Sequence, residues 1–493
     1  MWATQLRGVG RKFALFATFV GLLTPAFSLA QALQRKPTYV LQGSIDRRDH
    51  ETYRLLPFRV VPGTRRISIE FTYTGHEDKT VIDLGLFDTE RFRGWSGGDK
   101  STLTISATDA TPSYLPGPLP AGEWHLILGV PNVRPNVHSR YTAKIFLSPS
   151  SEPAPVVLRD AAGWYQGDLH SHTAQSDGFC PSLSGKRVPC PEFKLAEAAA
   201  ARKLDFVAFT DHNTTSTYNA LAQWQPYFDT LLLVRGREIT TFGGHANVYG
   251  TSEFVDFRLG EQGPTPNSLL AEAHRLGAIV SLNHPAAPSG EACMGCGWRW
   301  APQTDFAQVD AIEVINGPDV ETVYSGIPFW QERLNAGFRI TAIGGSDDHS
   351  SGTAGRNTVG MPTTVVYARQ LSEPAILEGV RAGHVFIKTQ GPHGPNIFFR
   401  GECAGHRVMM GDRITAAPGQ QLRFTADMNG SGAERIEVVE DGKVTLPVGR
   451  FQAGAYEFAV QPDGKRHWYR INVRSSDGKL LVLTNPIYVN FTN

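Results

Sequence analysis

Apolar and polar residues alternate after residue 33, which is the pattern of half-buried β-strands. Stretches such as YVLQGSI, VIDLGLF and EWHLILGV are separated by turns rich in Gly, Pro, Asp and Asn, at the spacing of a β-sandwich. A proline-rich link, SPSSEPAPVVL, closes the segment. We therefore expect a β-sandwich domain at 33–155. Its tryptophans Trp95 and Trp124, which we expect to be exposed, do not decide whether it binds carbohydrate or covers a face of its neighbour.

From 160 to 392 the pattern changes to short apolar runs that alternate with helical stretches. DFVAFTDH, AIVSLNHP and RITAIGGSDDH each predict a buried strand that runs into polar residues. PEFKLAEAAAARKL, NSLLAEAHRLG and PAILEGVRAG predict helices, and Gly277 and Gly383 end the last two. This alternation predicts parallel strands in an α/β barrel or an open sheet.

After 393 the strand pattern returns. IFFRG, LRFTADM, RIEVVEDG and HWYRINVRS are apolar–polar alternations within about 100 residues, the size of an immunoglobulin-like module. We expect a C-terminal immunoglobulin-like β-sandwich at 393–493, and we expect the chemistry to lie in the central segment.

The first thirty residues predict an export signal. Arg7, Arg11 and Lys12 precede an apolar run that ends in small residues around Ala30, as a signal peptidase requires. Pro25 interrupts the run, and the run is short for a membrane span, so we favour a signal peptide at 1–30 over an anchor. The mature protein is then expected to be periplasmic or secreted, without a transmembrane anchor.

The net charge limits the kinds of partner that we expect the protein to bind. The 47 basic and 47 acidic residues balance, and loss of the leader's three basic residues gives a net charge of −3. A nucleic-acid partner is therefore not indicated.

Cys180 and Cys190 bracket a loop, and Cys293 lies close to Cys296 in the sequence. Export favours structural disulfides, whose connectivity the sequence leaves open.

Six of the fifteen histidines lie at or near strand ends of the central segment. The pair His170 and His172 presents two imidazoles on one face, because side chains of a strand alternate with period two. Five strand ends carry imidazole or carboxylate, and none carries lysine or thiol. The candidate metal ligands are His170, His172, Asp177, His212, Glu238, His245, His284, Asp347 and His349.

These residue types predict a metal centre. Carboxylates and imidazoles gathered at one rim are costly without a cation, because like charges repel and desolvated carboxylates need partners. Nitrogen and oxygen donors together suit zinc, manganese or iron rather than calcium or magnesium alone. Nine ligands exceed what one ion uses, so we expect two or three divalent ions.

The motifs DLHSHTAQSDG, FTDHN, EITTFGGHANVYG, NHP and GSDDH, in this order, resemble those of the PHP (polymerase and histidinol phosphatase) superfamily. With the leader, the flanking β-domains and the closing LTNPIYV, the chain is most similar to exported CehA/McbA-type metallohydrolases. The resemblance implies a PHP-type distorted (β/α)7 barrel at 160–392, flanked by N-terminal and C-terminal β-sandwich domains. It covers 160–390 strongly and the flanks loosely.

The resemblance also implies how the ligands divide among the ions. The implied sets are His170, His172, Glu238 and Asp347 for one ion, Glu238, His245 and His284 for a second, and Asp177, His212 and His349 for a third. Some family members carry histidine at the position of Asp177. Asp211 is expected to orient an imidazole.

Hydrolysis is the expected reaction. A divalent metal lowers the pKa of bound water from nearly 16 to about 7, so a metal-bridging hydroxide can attack phosphorus or a carbonyl carbon. Candidates for proton delivery to the leaving group are Asp211, Asp348 and a metal-bound water. Arg356 and Asn213 are candidates for holding substrate oxygens.

Three functions stay open. The favoured one is an exported phosphoesterase acting on small phosphate esters. The second is a carbamate, ester or amide hydrolase on the same metals. The third is a surface binding protein with an inert PHP-like domain, which the complete ligand set disfavours. The sequence does not determine the substrate, the metal, the oligomeric state or the role of the flanking domains.

Overall fold

The computed structural model of the chain describes residues 36–260, 263–291, 293–352, 357–429, 434–451 and 454–492, without the side chains of 446–451. The signal peptide predicted at 1–30 and the residue Arg356 lie outside the described residues. Within these ranges, no helix is both long and apolar enough to cross a membrane.

The alternating pattern after residue 33 forms eight strands in two antiparallel sheets. The strands are β1 (Tyr39–Ile45), β2 (Thr52–Val60), β3 (Arg66–Tyr73), β4 (Val81–Phe87), β5 (Phe92–Gly97), β6 (Thr102–Ser106), β7 (Gly122–Asn132) and β8 (Ser139–Ser148). One sheet has the order β1-β8-β3-β6 and the other the order β2-β7-β4-β5. Their inner faces share one core, in which Ile69, Leu84 and Leu126 are buried.

The two tryptophans of this region have different surroundings. Trp124 is fully buried in the shared core, so the expectation that it is exposed is wrong. Its ring nitrogen donates to the carbonyl of Pro120 (2.9 Å), which allows a polar atom to be buried there. Trp95 is half-buried against Gly85 and Gly129, where a Cβ atom would come within 2.5 Å of the indole. The two glycines therefore make room for this ring.

The central segment contains strands and helices in alternation. Its elements are β9 (Gly163–Asp168), β10 (Phe179–Pro181), β11 (Arg187–Pro189), α1 (Glu192–Ala201), β12 (Phe206–Phe209), α2 (Thr217–Trp224), β13 (Leu232–Thr241), β14 (Gly244–Tyr249), α3 (Pro266–Arg275), β15 (Ile279–Leu282), β16 (Ala311–Asn316), α4 (Ile327–Ala336), β17 (Thr341–Gly345), β18 (Thr363–Ala368), α5 (Glu373–Arg381) and β19 (Val385–Lys388). The three predicted helices correspond to α1, α3 and α5. Gly277 and Gly383 follow α3 and α5 with positive φ, as expected of residues that end a helix.

The central sheet is mixed rather than uniformly parallel. Its order is β17-β16-β15-β14-β13-β12-β9-β18-β19. Strands β9, β12 and β13 run parallel, as do β15, β16 and β17. Strand β14 is antiparallel to both neighbours, because the turn from β13 into β14 is too short for a crossover. The ladder of the described strands does not show the closed (β/α)7 barrel that the resemblance implied, and the chain is richer in strands than in helices.

Some of the C-terminal strands continue the central sheet, and the others form a second sheet. They are β20 (Asn396–Cys403), β21 (His406–Met409), β22 (Arg413–Ile414), β23 (Leu422–Asn429), β24 (Glu434–Glu440), β25 (Lys443–Phe451), β26 (Gly454–Val460), β27 (His467–Arg474), β28 (Leu480–Thr484) and β29 (Ile487–Val489). Strand β28 pairs with β19, which joins β28, β27, β24 and β25 to the central ladder. A second sheet, β21-β20-β23-β26, packs on them through a shared core. The domain limits at 155 and 392 stay predictions.

Side chains connect the two separated parts of the central sheet. The side-chain oxygen of Asn485 accepts from the amide of Ala342 in β17 (2.7 Å), and its amide group donates to the carbonyls of Ala342 (2.8 Å) and Val385 (2.9 Å). The hydroxyl of Thr364 in β18 accepts from the amide of Gly344 in β17 (2.9 Å). Asn485 belongs to the closing LTNPIYV segment, so the C-terminal region holds β17 next to β18 and β19.

We predict that Asn485→Ala lowers the free energy of unfolding by about 2–4 kcal/mol, because each buried polar group left without a partner costs about 1–3 kcal/mol. Thermal denaturation compared with Asn132→Ala measures the effect. Asn132 is the control because its side chain donates one bond to the exposed loop carbonyl of Lys79. If both variants lowered the free energy of unfolding by the same amount, a bridging role for Asn485 would be contradicted.

Candidate metal centre

All nine predicted metal ligands converge at one edge of the central sheet. His170 and His172 follow β9, His212 follows β12, His284 follows β15, and Asp347 and His349 follow β17. Parallel strands bring their carboxyl ends to the same edge. His245 joins this edge because β14 is antiparallel and starts there. Whether each residue binds an ion stays a prediction, but the structure places them all in one continuous network.

Glu238, in β13, lies at the centre of the network with less than 2% of its side chain exposed. Both of its carboxylate oxygens face imidazole nitrogens. The oxygen–nitrogen distances are 3.4 Å to His170, 3.5 Å to His172, 2.9 Å to His212, 3.3 Å to His245 and 3.3 Å to His284. A carboxylate between two sets of imidazoles has the position of a bridging ligand, as the resemblance implied.

The ligand atoms form overlapping groups, in which all atoms lie within 4.8 Å of one another. The groups are His170, His172 and Asp347; His170, Glu238 and His284; His172, Asp177, His212 and His349; and His245, His284 and Cys296. The first three groups overlap the three implied sets without reproducing them. The first group lacks Glu238, the second has His170 in place of His245, and the third adds His172. How the ligands divide among the ions stays a prediction. Cys296 was not predicted as a neighbour of the imidazoles.

Backbone and carboxylate oxygens determine which nitrogen each imidazole turns toward the network. Nδ1 of His170 lies 3.1 Å from Oε1 of Glu313, and Nδ1 of His284 lies 3.2 Å from the carbonyl of Cys296. Nδ1 of His349 lies 2.9 Å from the carbonyl of Asp347. A carbonyl or an ionised carboxylate accepts, so each Nδ1 donates and each Nε2 is the nitrogen left for the network. This is the arrangement that orients metal-binding histidines.

Two observations fit divalent cations at this site. Nε2 of His170 and Nε2 of His172 lie 3.1 Å apart, which suits two lone pairs directed at one ion. Nε2 of His245 is buried and has no hydrogen-bond partner, although buried polar atoms are normally satisfied. Nitrogen and carboxylate donors together match zinc, manganese or iron.

Charges within the network stabilise the ionised carboxylates. Burial alone would raise the pKa of Glu238, but His170 and His212 hold it well below its usual range. Asp347 behaves in the same way beside His170 and His172. Burial and the neighbouring His349 lower the pKa of His172 to about 4. Against the effect of burial, the neighbouring carboxylates raise the pKa of His170, His212, His284 and His349. The two carboxylates and His172 therefore have the forms that bind metals, and an ion would displace protons from the other four imidazoles.

Two of the predicted ligands adopt a backbone conformation that non-glycine residues rarely use. The φ angles are +28° for His284 and +54° for Asp347, and such strain accumulates at functional sites. Gly345, two residues before Asp347, has no room for a side chain, because a Cβ atom would clash with Oε1 of Glu313 and with Cβ of His170. The loop after β17 is thus shaped around His170 and Glu313.

Sequence reasoning missed three residues that position the network. Glu313 in β16 is buried, contacts His170 and accepts from the backbone amide of His284 (3.0 Å). Asn283 donates to Glu238 (2.9 Å), and Asn316 lies 3.3 Å from Asp347. The signal for Glu313 was present, since it is a lone carboxylate in the otherwise apolar run AIEVI.

The structure describes the surroundings of Asp211 and Asp348, two of the three residues predicted to act on the substrate, and a part of either in the reaction stays a prediction. Asp211 accepts hydrogen bonds from Thr173, Ser176 and Thr217, and Ser176 in turn contacts His172. Asp211 is thus a positioning residue, in line with the expectation that it orients an imidazole. Asp348 is fully buried. Its oxygens accept from the amides of Ser350, Gly352 and Val359 and from the hydroxyl of Ser350, so they anchor the loop. The third candidate, Arg356, lies outside the described residues.

Two polar residues near the motifs, Arg235 and Asn213, are held by contacts within the scaffold. Arg235 forms ion pairs with Glu152 and Glu373 (both 2.6 Å) on the helix side of the sheet. Asn213, predicted to hold substrate oxygens, instead exchanges hydrogen bonds with the backbone of Thr240. Both residues therefore support the scaffold.

Comparison with known proteins gives no family model and no curated protein that matches the chain. Several solved structures are similar to it, among them the following two. A two-domain protein from Bacteroides vulgatus containing a predicted PHP-like metal-dependent phosphoesterase is 18% identical, with a TM-score of 0.36 over 68% of this chain and 98% of that chain. A candidate metal-dependent phosphoesterase from Bifidobacterium adolescentis is 15% identical, with a TM-score of 0.29 over 39% of this chain and 90% of that one.

We predict that Glu313→Gln weakens binding of manganese or zinc by about 10–100-fold, the usual effect of removing a residue that orients a ligand. Calorimetric titration of metal-stripped protein measures the affinity. Glu373→Gln is the matched control, because Glu373 pairs with Arg235 on the helix side. The control should lose thermal stability without losing metal affinity. Unchanged affinity in Glu313→Gln would remove Glu313 from the metal centre.

We also predict that manganese or zinc raises the melting temperature of chelator-treated protein. A ligand that binds only the folded state stabilises it by about 2.7 kcal/mol at one hundred times its dissociation constant. Differential scanning calorimetry across a metal titration tests this, with calcium as the comparison ion. A melting temperature that does not respond to manganese or zinc would contradict the metal centre.

Proposed function

We propose that this chain is an exported metal-dependent hydrolase of small molecules, with phosphate esters as the favoured substrates. The observation that carries the proposal is the convergence of nine imidazole and carboxylate side chains around Glu238. The ordered sequence motifs, which resemble those of the PHP superfamily and of exported CehA/McbA-type metallohydrolases, support it independently.

Two or three divalent ions would be held by the three overlapping ligand groups, with Glu238 shared between them. Such ions supply a water of lowered pKa and positive charge that stabilises developing negative charge on the substrate. The residues of the chain keep the imidazole lone pairs and the carboxylate charges aimed at these ions. Glu313 and Asp211 perform that task from outside the network.

A cavity of about 430 Å³ opens onto the network, lined by His284, Asp347 and His349. Phe179, Pro288 and Tyr324 form its opposite walls. This volume lies in the range of pockets that hold small molecules. Phe179 belongs to the β10–β11 hairpin, which the Cys180–Cys190 disulfide closes. The hairpin therefore borders the entrance to the site.

Phosphate esters are favoured because several cations side by side match the charge of a phosphate group and can contact both the attacking and the leaving oxygen. The same cations can polarise an ester, carbamate or amide carbonyl, so a carbon electrophile is the second candidate. A binding protein with an inert centre is the third, and it is disfavoured because all nine ligand positions are filled by metal-binding side chains.

Export and a periplasmic or secreted location are part of the proposal and depend on the predicted leader. The disulfide between Cys180 and Cys190 fits an oxidising compartment. Fractionation of cells that express the full chain, with N-terminal sequencing of the product, tests both cleavage near residue 30 and the compartment.

We predict that His170→Ala and Asp347→Ala abolish hydrolysis of p-nitrophenyl phosphate, phosphodiester, acetate or carbamate in the presence of manganese or zinc. His274→Ala is the control, because His274 lies on α3 and pairs with Asp310 away from the network (2.8 Å). Circular dichroism confirms the fold of each variant. Retained activity in either of the two site variants would refute the assignment, and the preferred ester identifies the electrophile.

A further inference from the structure

The loop after β15 brings a second disulfide to the wall of the metal centre. Cys293 and Cys296 are paired, and both line the cavity that opens onto the network. Sγ of Cys296 and one ring nitrogen each of His245 and His284 lie within 4.8 Å of one another. The disulfide sulfur of Cys296 therefore belongs to one compact group with two predicted ligands.

The position of Cys296 depends on contacts other than the disulfide. Its carbonyl lies 3.2 Å from Nδ1 of His284, and the amide of Gly297 donates to the hydroxyl of Ser289 (3.1 Å). The next residue, Trp298, is buried in the main core, and its amide donates to the carbonyl of Pro285 (3.1 Å). Breaking the disulfide would thus leave Cys296 beside the imidazoles.

Cys293 has fewer constraints. It is half-buried at the cavity wall, and the neighbouring Met294 is 79% exposed. Because Cys293 lines the cavity, a reductant that enters the cavity can reach its sulfur. The two cysteines therefore differ, with Cys296 fixed at the centre and Cys293 at the accessible side.

We propose that Cys296 is a redox-dependent metal ligand, which joins His245 and His284 when the Cys293–Cys296 disulfide is reduced. The proposal rests on the metal centre of the proposed function and extends it. A thiolate sulfur about 2.3 Å and an imidazole nitrogen about 2.0 Å from one tetrahedral ion are roughly 3.5 Å apart, so a small adjustment of the observed spacing suffices. Nε2 of His245, buried without a hydrogen-bond partner, supports an additional donor there.

The chemistry balances with an external thiol or phosphine reductant. The reductant supplies two electrons, the S–S bond breaks, and two protons from solvent give the thiols of Cys293 and Cys296. On metal binding, the thiol of Cys296 releases its proton to solvent and its sulfur forms the bond to the ion. A thiolate favours zinc over manganese, so the redox state of this pair would set the metal preference of the centre.

Cobalt(II) loading of the full chain tests the proposal through the sulfur-to-cobalt charge-transfer absorption. Metal-stripped wild-type protein should show this band only after reduction and removal of the reductant. Cys293→Ser should show it without any reductant, because Cys296 is then permanently free. Cys296→Ser should bind cobalt without the band in either state. The double variant Cys180→Ser/Cys190→Ser, which lacks the other disulfide, should behave like the wild type.

Protection from alkylation gives a second readout. Cobalt or zinc should shield one thiol per chain in Cys293→Ser, and none in Cys296→Ser. Cys403 is buried in the C-terminal core and is common to all variants, so it contributes equally. A Cys293→Ser protein that retains cobalt but shows neither the band nor the protection would overturn the role of Cys296 alone. Oxidised wild-type protein that retains no cobalt in metal analysis would overturn the metal centre, and this proposal with it.

Discussion

The burial of Glu238 is the constraint on which the rest of the site depends. A carboxylate removed from water is costly unless it is paired, and five imidazole nitrogens within 3.5 Å surround this one. Those imidazoles are in turn fixed by Glu313, by the carbonyl of Cys296 and by the loop that Asp211 anchors. A divalent ion stabilises this group of donors better than a proton does. One ion can accept lone pairs from several imidazoles and carboxylates at the same time. Each supporting contact therefore serves to keep donors directed at the same small volume.

The scaffold that maintains this geometry extends beyond the central segment. Asp347 and His349 follow strand β17, which is held beside β18 and β19 by the side chains of Thr364 and Asn485. Asn485 comes from the C-terminal region, whose strand β28 also extends the central ladder. The C-terminal strands thus contribute to the geometry of the metal centre without contributing a predicted ligand. A role of this kind leaves no pattern in the sequence, since one buried asparagine in LTNPIYV resembles any turn residue.

The sequence predicted most of the candidate metal ligands and fewer of the residues that position them. His170, His172, Glu238 and Asp347 stood out because metal-binding side chains at strand ends have few other uses. Glu313 did not stand out, because it lies within an apolar strand and acts through its neighbours. Asp348 was chosen for its place in the motif GSDDH, but backbone amides occupy its oxygens. Three helices were predicted from their sequence pattern, two of them with a glycine stop, whereas α2 and α4 were not predicted.

By itself, the sequence determined which residue types are available, which segments form strands and helices, and which chemistry those side chains can perform. These properties depend on local periodicity and on donor type, which are visible along the chain. The tertiary structure decided the mixed strand order, the antiparallel insertion of β14 and the approach of the Cys293–Cys296 pair to His245 and His284. Those features depend on distances between residues far apart in sequence, and packing of the whole sheet fixes them.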